Sequence, residues 1–167
     1  HLMKPDERKK CVEMENIWID IGADTKKTAE KRVSIGDPMV VDVACRPLDG
    51  DKIVSRATDD KAGAFVVAEC MRALSKRKLN VSVIGVATVQ EEIGLRGAIT
   101  SSYQIKPDAG FAVDVTFASD HPDTNPKKMG EVKLGKGPDL HRGPNINPVM
   151  EEELFKLGVP AKTRHNE

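Results

Sequence analysis

One continuous segment, residues 81–97, constrains the fold of this chain more than any other. Residues 81–89 form an almost unbroken apolar run, and two adjacent carboxylates, Glu91 and Glu92, follow shortly after it. A run of this length that is rich in valine and isoleucine predicts a strand buried on both faces of a mostly parallel sheet. Ligands bind such sheets at the carboxyl ends of the strands. We therefore expect the two glutamates to lie where an α/β enzyme carries its chemistry.

Helix and strand patterns alternate around this run. Helices are predicted at residues 64–78 and 95–103, and a second apolar strand is predicted at 109–115, with Asp114 near its carboxyl end. This order is the β-α-β alternation of an α/β layer fold. We expect it to organise the chain from residue 56 onward.

A further helix is predicted near the end of the chain. Asn147 and Pro148 are the residue types that favour an N-cap and a first helical position. We expect Met150, Leu154 and Leu157 to form the buried stripe of this helix, because they recur at helical spacing.

The first third of the chain has a different character. Alternating apolar residues predict strands at 17–21 and 39–44, and Gly, Pro and Asp predict turns at 34–38 and 47–51. No core of its own is evident in this part. We therefore divide the chain into a β-rich region, residues 1–55, and an α/β region, residues 56–167.

Composition excludes several classes of protein. Lys plus Arg and Asp plus Glu number 26 each, so the zero net charge indicates neither a nucleic-acid partner nor a membrane-surface partner. No apolar stretch approaches the length of about 18 residues that a membrane span needs. The three cysteines lack metal-binding spacing, and their odd number argues against a disulfide framework. We expect a cytoplasmic protein.

Three acidic positions fall where a predicted strand or helix meets a loop. They are Asp59, Glu92 and Asp114. Carboxylates from separate strand ends can converge on a pair of divalent ions, because the ions offset the repulsion among them. Glu91 would then be available to take a proton from the attacking water.

Each of these signals also has a purely structural interpretation. Asp59 and Asp60 precede a helix and could cap it. Glu91 and Glu92 could form a solvated first turn, and Asp114 could cap a loop at the end of a strand. The metal-site interpretation depends on the joint pattern of the three positions.

The acidic residues lie in three motifs: Asp-Asp-Lys-Ala-Gly at 59–63, Gln-Glu-Glu-Ile-Gly-Leu-Arg-Gly-Ala at 90–98 and Asp-Val-Thr at 114–116. These motifs resemble the inner motifs of the glutamyl or deblocking aminopeptidases, a metallopeptidase family whose members build large tetrahedral particles. The resemblance extends in collinear order to Ile-Asp-Ile-Gly-Ala at 19–23, Gly-Asp at 36–37, and Gly-Pro at 137–138 through Asn-Pro at 147–148. It covers nearly the whole chain.

The resemblance implies a role for each acidic residue. Asp59 would bridge two divalent ions, zinc or cobalt, and Asp60 would follow it through a strained peptide bond. Glu92 would bind one ion and Asp114 the other. Glu91 would be the general base that activates water for the hydrolysis of an amino-terminal peptide bond.

The resemblance also implies an architecture. The catalytic domain would be a three-layer α/β/α peptidase domain, present here in part as residues 56–167. Residues 1–55 would be the later part of a β-rich inserted domain that shapes subunit contacts. Peptides would be the substrates, and the chain would assemble into a dimer or a dodecamer.

The chain departs from the family pattern in its histidines. The family uses one histidine in a His-x-Asp motif before the inserted domain and another near the carboxyl terminus, and neither stretch lies in this chain. We expect His121, His141 and His165 to be ordinary surface residues. We also expect residues 1–167 alone to bind zinc weakly and to hydrolyse no peptide.

Two other functions compete with a two-metal aminopeptidase. The chain could be a catalytically incomplete fragment that acts only as a structural or assembly module. It could also be a glycoside hydrolase, whose two carboxyl groups must lie about 5–9.5 Å apart across a glycosidic bond. Glu91 and Glu92 suit that chemistry poorly, because adjacent residues on a strand point to opposite faces.

Overall fold

The computed structural model describes residues 9–157 and 164–166. The chain divides into two compact units, His1–Asp42 and Val43–Glu167. The assignment of residues 1–55 to an inserted domain and 56–167 to a catalytic domain stays a prediction.

The first unit is built from short turns. A 3₁₀ turn, Met14–Asn16, precedes helix α1, Lys26–Ala29. Thr25 caps α1, because its side chain accepts a hydrogen bond from the Thr28 amide at 3.2 Å. The Arg32 guanidinium donates to the Ile21 carbonyl at 2.9 Å and thereby ties the end of the helix to the preceding segment.

The second unit contains the longer helices and two small sheets. Strands β1, Arg46–Pro47, and β2, Ile53–Val54, form an antiparallel hairpin around the turn predicted at 47–51. Then follow α2 (Thr58–Leu74), α3 (Arg96–Ile105), α4 (Pro126–Met129), β3 (Leu140–Arg142), α5 (Pro148–Lys156) and β4 (Arg164–Asn166). Strands β3 and β4 pair in parallel on either side of α5. No helix among the described residues is long and apolar enough to cross a membrane.

The two helices predicted around residues 81–97 are present with shifted ends. Helix α2 ends at Leu74, four residues before the predicted end. The Ser75 hydroxyl donates to the Arg72 carbonyl at 2.9 Å, so it competes with the backbone for an acceptor at this end of the helix. Helix α3, Arg96–Ile105, begins one residue later and ends two residues later than predicted.

The four strands predicted at 17–21, 39–44, 81–89 and 109–115 are not formed in the described part of the chain. A strand exists through hydrogen bonds to a neighbouring strand, and none of the described segments supplies them. Apolar side chains of these segments stay exposed, including Val81 at 70% and Phe111 at 66%. The three-layer arrangement of the catalytic domain stays a prediction.

Residues 81–89 nevertheless lie against α2. A Cβ atom added to Gly85 would lie 2.7 Å from Met71 Cγ and 3.2 Å from a methyl group of Val67. Met71 and Val67 belong to the apolar face of α2, so the glycine allows the backbone to contact that face directly. The apolar run therefore brings the segment before Glu91 against the helix that begins near Asp59.

Helix α5 begins as predicted but buries a different residue. Asn147 is its N-cap, with Oδ1 accepting from the amides of Val149 at 2.9 Å and Met150 at 3.2 Å. Of the predicted apolar stripe, Met150 and Leu154 are half-buried, but Leu157 is 78% exposed and the one fully buried residue of α5 is Glu151. The Arg142 guanidinium on β3 binds the Glu151 carboxylate at 2.7 Å, and this charge pairing is what allows an acid to be buried there.

Asn147→Ala removes the side-chain acceptor that caps α5. We expect the free energy of unfolding to fall by about 1 kcal/mol, since the loss of an N-cap costs roughly 0.5–2 kcal/mol. Urea denaturation of the variant and the wild-type chain measures this. Asn145→Ala, in the loop before the cap, is the matched control and should leave the unfolding midpoint unchanged. Equal midpoints for the wild type and Asn147→Ala would contradict the capping role.

Candidate active site

The first acidic position lies where α2 begins. Asp59 and Asp60 have non-helical backbone angles, and the peptide bond between them is cis. The Asp60 carboxylate accepts a hydrogen bond from the Gly63 amide at 2.8 Å. Gly63 is buried, and a Cβ atom there would collide with that carboxylate. Asp60 therefore caps the regular part of the helix, which leaves the preceding Asp59 as the candidate ligand.

The second acidic position lies in a closed loop between residues 89 and 97. The Leu95 amide donates to the Glu91 carbonyl at 2.9 Å, and the Gly97 amide donates to the Val89 carbonyl at 2.9 Å. Between these bonds the Arg96 amide reaches the Gln90 carbonyl at 3.3 Å. The start of α3 is thus bonded to the residues just before Glu92, and the two glutamates lie at the turn.

The third acidic position, Asp114, lies before a loop that is bonded to a later segment. Its carboxylate accepts from the Val115 amide at 2.7 Å, which is the local capping role that the sequence also allowed. Five residues later, the buried Ser119 hydroxyl donates to the Val132 carbonyl and accepts from the Val132 amide, both at 2.9 Å. The path of the chain after Asp114 is therefore restrained.

Electrostatics connect these three positions. The pKa of Glu91 is raised, first by partial removal of its carboxylate from water. The negative charges of Glu92, Asp114, Asp59 and Asp60 raise it further, in that order. Every acidic position predicted from the sequence therefore lies close enough to influence the charge on Glu91.

The acidic residues do not by themselves form a metal site. Across residues 9–157 and 164–166, no three histidine, cysteine or acidic side chains are arranged to hold one ion. His121 Nδ1 lies 2.7 Å from the Pro122 carbonyl oxygen, and His141 Nε2 lies 3.5 Å from an Asp139 carboxylate oxygen. The described donor set does not fit a pair of ions without further ligands. The assignment of Asp59, Glu92 and Asp114 as metal ligands stays a prediction.

The sequence did not reveal several contacts that shape this region. The side chains of Asp60 and Ser119 bind backbone groups, and Gly63 and Gly97 are the buried residues of α2 and α3. A glycine near the start of each of two helices was a signal for a close approach of two backbone segments.

Glu92→Gln removes the negative charge that has the largest effect on the pKa of Glu91. We expect the pKa of Glu91 to fall, because a negative neighbour favours the protonated carboxyl group. NMR titration of the carboxyl carbons in the metal-free chain measures it. Glu69→Gln is the control, since Glu69 lies on α2 in a pair with Arg72 and does not act on Glu91. An unchanged Glu91 pKa in Glu92→Gln would contradict the proximity of the two charges.

Comparison with known proteins gives close matches along the chain. The sequence profile of M42 glutamyl aminopeptidases matches residues 1–164. A protein of Acetivibrio thermocellus with the name "Putative aminopeptidase" is 37% identical over 162 residues, which are 90% of this chain and 46% of that protein. A lysyl aminopeptidase of Pyrococcus furiosus is 34% identical over 158 residues, 90% of this chain and 44% of the relative. A glutamyl aminopeptidase of Lactococcus lactis is 35% identical over 106 residues, 63% of this chain and 30% of the relative.

The match confirms the family that the three acidic motifs indicated. The chain spans about half the length of the curated relatives that it matches along most of its own length. The family is one of α/β peptidases, which agrees with the mixture of helices and strands in the second unit. The chain belongs to the M42 glutamyl aminopeptidase family.

Proposed function

We propose that the protein is a metal-dependent aminopeptidase that removes amino-terminal residues from peptides. The observation that carries this proposal is that the closed loop of Glu91 and Glu92 follows a segment that lies against α2, the helix that begins near Asp59. The charges of Glu92, Asp114, Asp59 and Asp60 all raise the pKa of Glu91, which agrees with this arrangement. Family membership supports the same chemistry, since relatives of this chain are named lysyl and glutamyl aminopeptidases.

Glu91 is the proposed general base. In the metal-free chain the carboxylates of the proposed ligands raise the pKa of Glu91, and a carboxylate beside those ligands can take a proton from water. The backbone carbonyl of Glu91 accepts two of the hydrogen bonds that close the loop, from the amides of Gly94 and Leu95. These bonds orient the backbone, and the side chain remains available for the proton.

Asp59, Glu92 and Asp114 are the proposed metal ligands. Two divalent ions, zinc or cobalt, would complete their coordination with histidines that the family resemblance places outside this chain. Such ions supply positive charge that balances clustered carboxylates and lower the pKa of water. The family resemblance implies that Asp59 is the bridging ligand; the neighbouring Asp60 carboxylate is already bound to the Gly63 amide.

The proposed substrates are peptides with a free amino terminus. The names of two relatives specify lysine and glutamate, so the shared element is the removal of a terminal residue. Assembly into a dimer or a dodecamer and a cytoplasmic location complete the proposal. The exposed Trp18, at 80%, offers apolar surface in the first unit for such contacts.

A second candidate function is a structural or assembly module without catalysis. It is favoured by the lack of a three-donor metal group among the described residues and by the exposed apolar side chains of residues 111–117. Calorimetric titration with zinc separates the two functions. Tight two-site binding by the natural full-length protein supports the aminopeptidase, and no binding supports the module.

Glu91→Gln tests the general base. We expect peptidase turnover of the natural protein to fall by a factor of about 10²–10⁴, because a positioned base contributes that much to the rate. Aminoacyl p-nitroanilides with different terminal residues measure the turnover. Glu69→Gln is the control and should retain the wild-type rate. Full activity in Glu91→Gln would exclude Glu91 as the base.

Peptidase turnover should be lost both when the metal is removed and when residues 1–167 are produced alone. We expect chelation with EDTA to abolish turnover by the natural protein and added zinc or cobalt to restore it. We also expect the purified polypeptide of residues 1–167 to show no turnover with either ion, since carboxylates alone suit zinc poorly. Turnover by that polypeptide would contradict the need for ligands outside it.

A further inference from the structure

At Gly97, the start of α3 lies so close to the end of the apolar run that no residue other than glycine fits there. The Gly97 amide donates to the Val89 carbonyl at 2.9 Å, and Gly97 is the buried residue of α3. A Cβ atom at position 97 would lie 2.5 Å from the Val89 carbonyl oxygen and would also collide with the Val89 nitrogen. Both obstacles are backbone atoms, so no side-chain rotation relieves the collision.

This contact closes the loop that carries the candidate base and ligand. The hydrogen bond from the Gly97 amide to the Val89 carbonyl encloses two shorter-range ones. The Arg96 amide donates to the Gln90 carbonyl, and the Leu95 amide donates to the Glu91 carbonyl. Gln90 and Leu95 both have positive φ, at 56° and 55°, so the chain reverses its direction between them. The backbone of Glu91 and Glu92 therefore cannot shift relative to α3 while these bonds persist.

We infer that Gly97 is a positioning residue that sets where Glu91 and Glu92 lie relative to Asp59 and Asp114. This inference rests on the proposed function for its catalytic consequence, while the closed loop itself can be measured without it. A methyl group at position 97 would force the start of α3 and Val89 apart by roughly 1 Å to reach ordinary contact. A displacement of that size at a reacting group can cost about 100-fold in rate.

Gly97→Ala and Gly110→Ala in the natural full-length protein test the inference. A Cβ atom at Gly110 meets nothing within 4 Å and Gly110 has no positive φ, so this variant is the matched control. Gly94→Ala is a second test variant, because Gly94 has φ of 112° but open space around it. It strains the same loop without a collision.

Two measurements apply to each variant. Steady-state kinetics give kcat and KM, and hydrogen exchange with mass spectrometry compares peptides from residues 89–97 with peptides from α2. We expect Gly97→Ala to lower kcat about 100-fold, with KM within about threefold, and to speed up exchange only in residues 89–97. Gly94→Ala should change both in the same direction by less, and Gly110→Ala should match the wild type within about twofold.

Three outcomes decide the matter. Wild-type kcat in Gly97→Ala, or exchange that is equally faster in α2, overturns the inference, because the residue would then be neutral or only needed for overall stability. If the wild type hydrolyses no aminoacyl substrate, the proposed function fails, while local exchange confined to residues 89–97 still supports the positioning of the loop.

Discussion

Repulsion among like charges is the constraint on which the candidate site depends. The negative charges of four carboxylates raise the pKa of Glu91, and no basic side chain among the described residues lowers it. A protein tolerates such a cluster when a cation neutralises it or when one member keeps a proton. In this chain, capping of α2 by Asp60 and of the local backbone by Asp114 satisfies part of that negative charge with amide donors. The remaining negative charge is what the proposed divalent ions would balance.

Local features of the fold could be predicted from the sequence. Asn147 and Pro148 determine the start of α5 through their own side chains, and the turn predicted at 47–51 is formed, between two short paired strands that were not predicted. The three acidic motifs were sufficient to indicate the family, because their order and spacing are specific when taken together. Each of these features depends on residues close in sequence.

Features that depend on distant partners were predicted less well. The apolar run at 81–89 has strand composition, but a strand needs a neighbour, and no described segment hydrogen-bonds to it. The burial of Glu151 was not evident, since it depends on Arg142 on another element. The proposed ligand roles of Asp59, Glu92 and Asp114 likewise depend on groups that the acidic motifs do not contain.

The set of three hydrogen bonds between Ser119 and Val132 has a consequence for how this region can vary. It joins the segment after Asp114 to the one before Lys133, and Thr124 adds a bond to the Ser119 carbonyl at 2.8 Å. The residues between, 125–130, include α4 and lie in the loop that these hydrogen bonds close. Because closing a somewhat longer loop adds little entropic cost, insertions on either side of α4 should be tolerated in evolution without redirecting the backbone at Asp114. Related proteins could then differ in length here without any change in the position of Asp114.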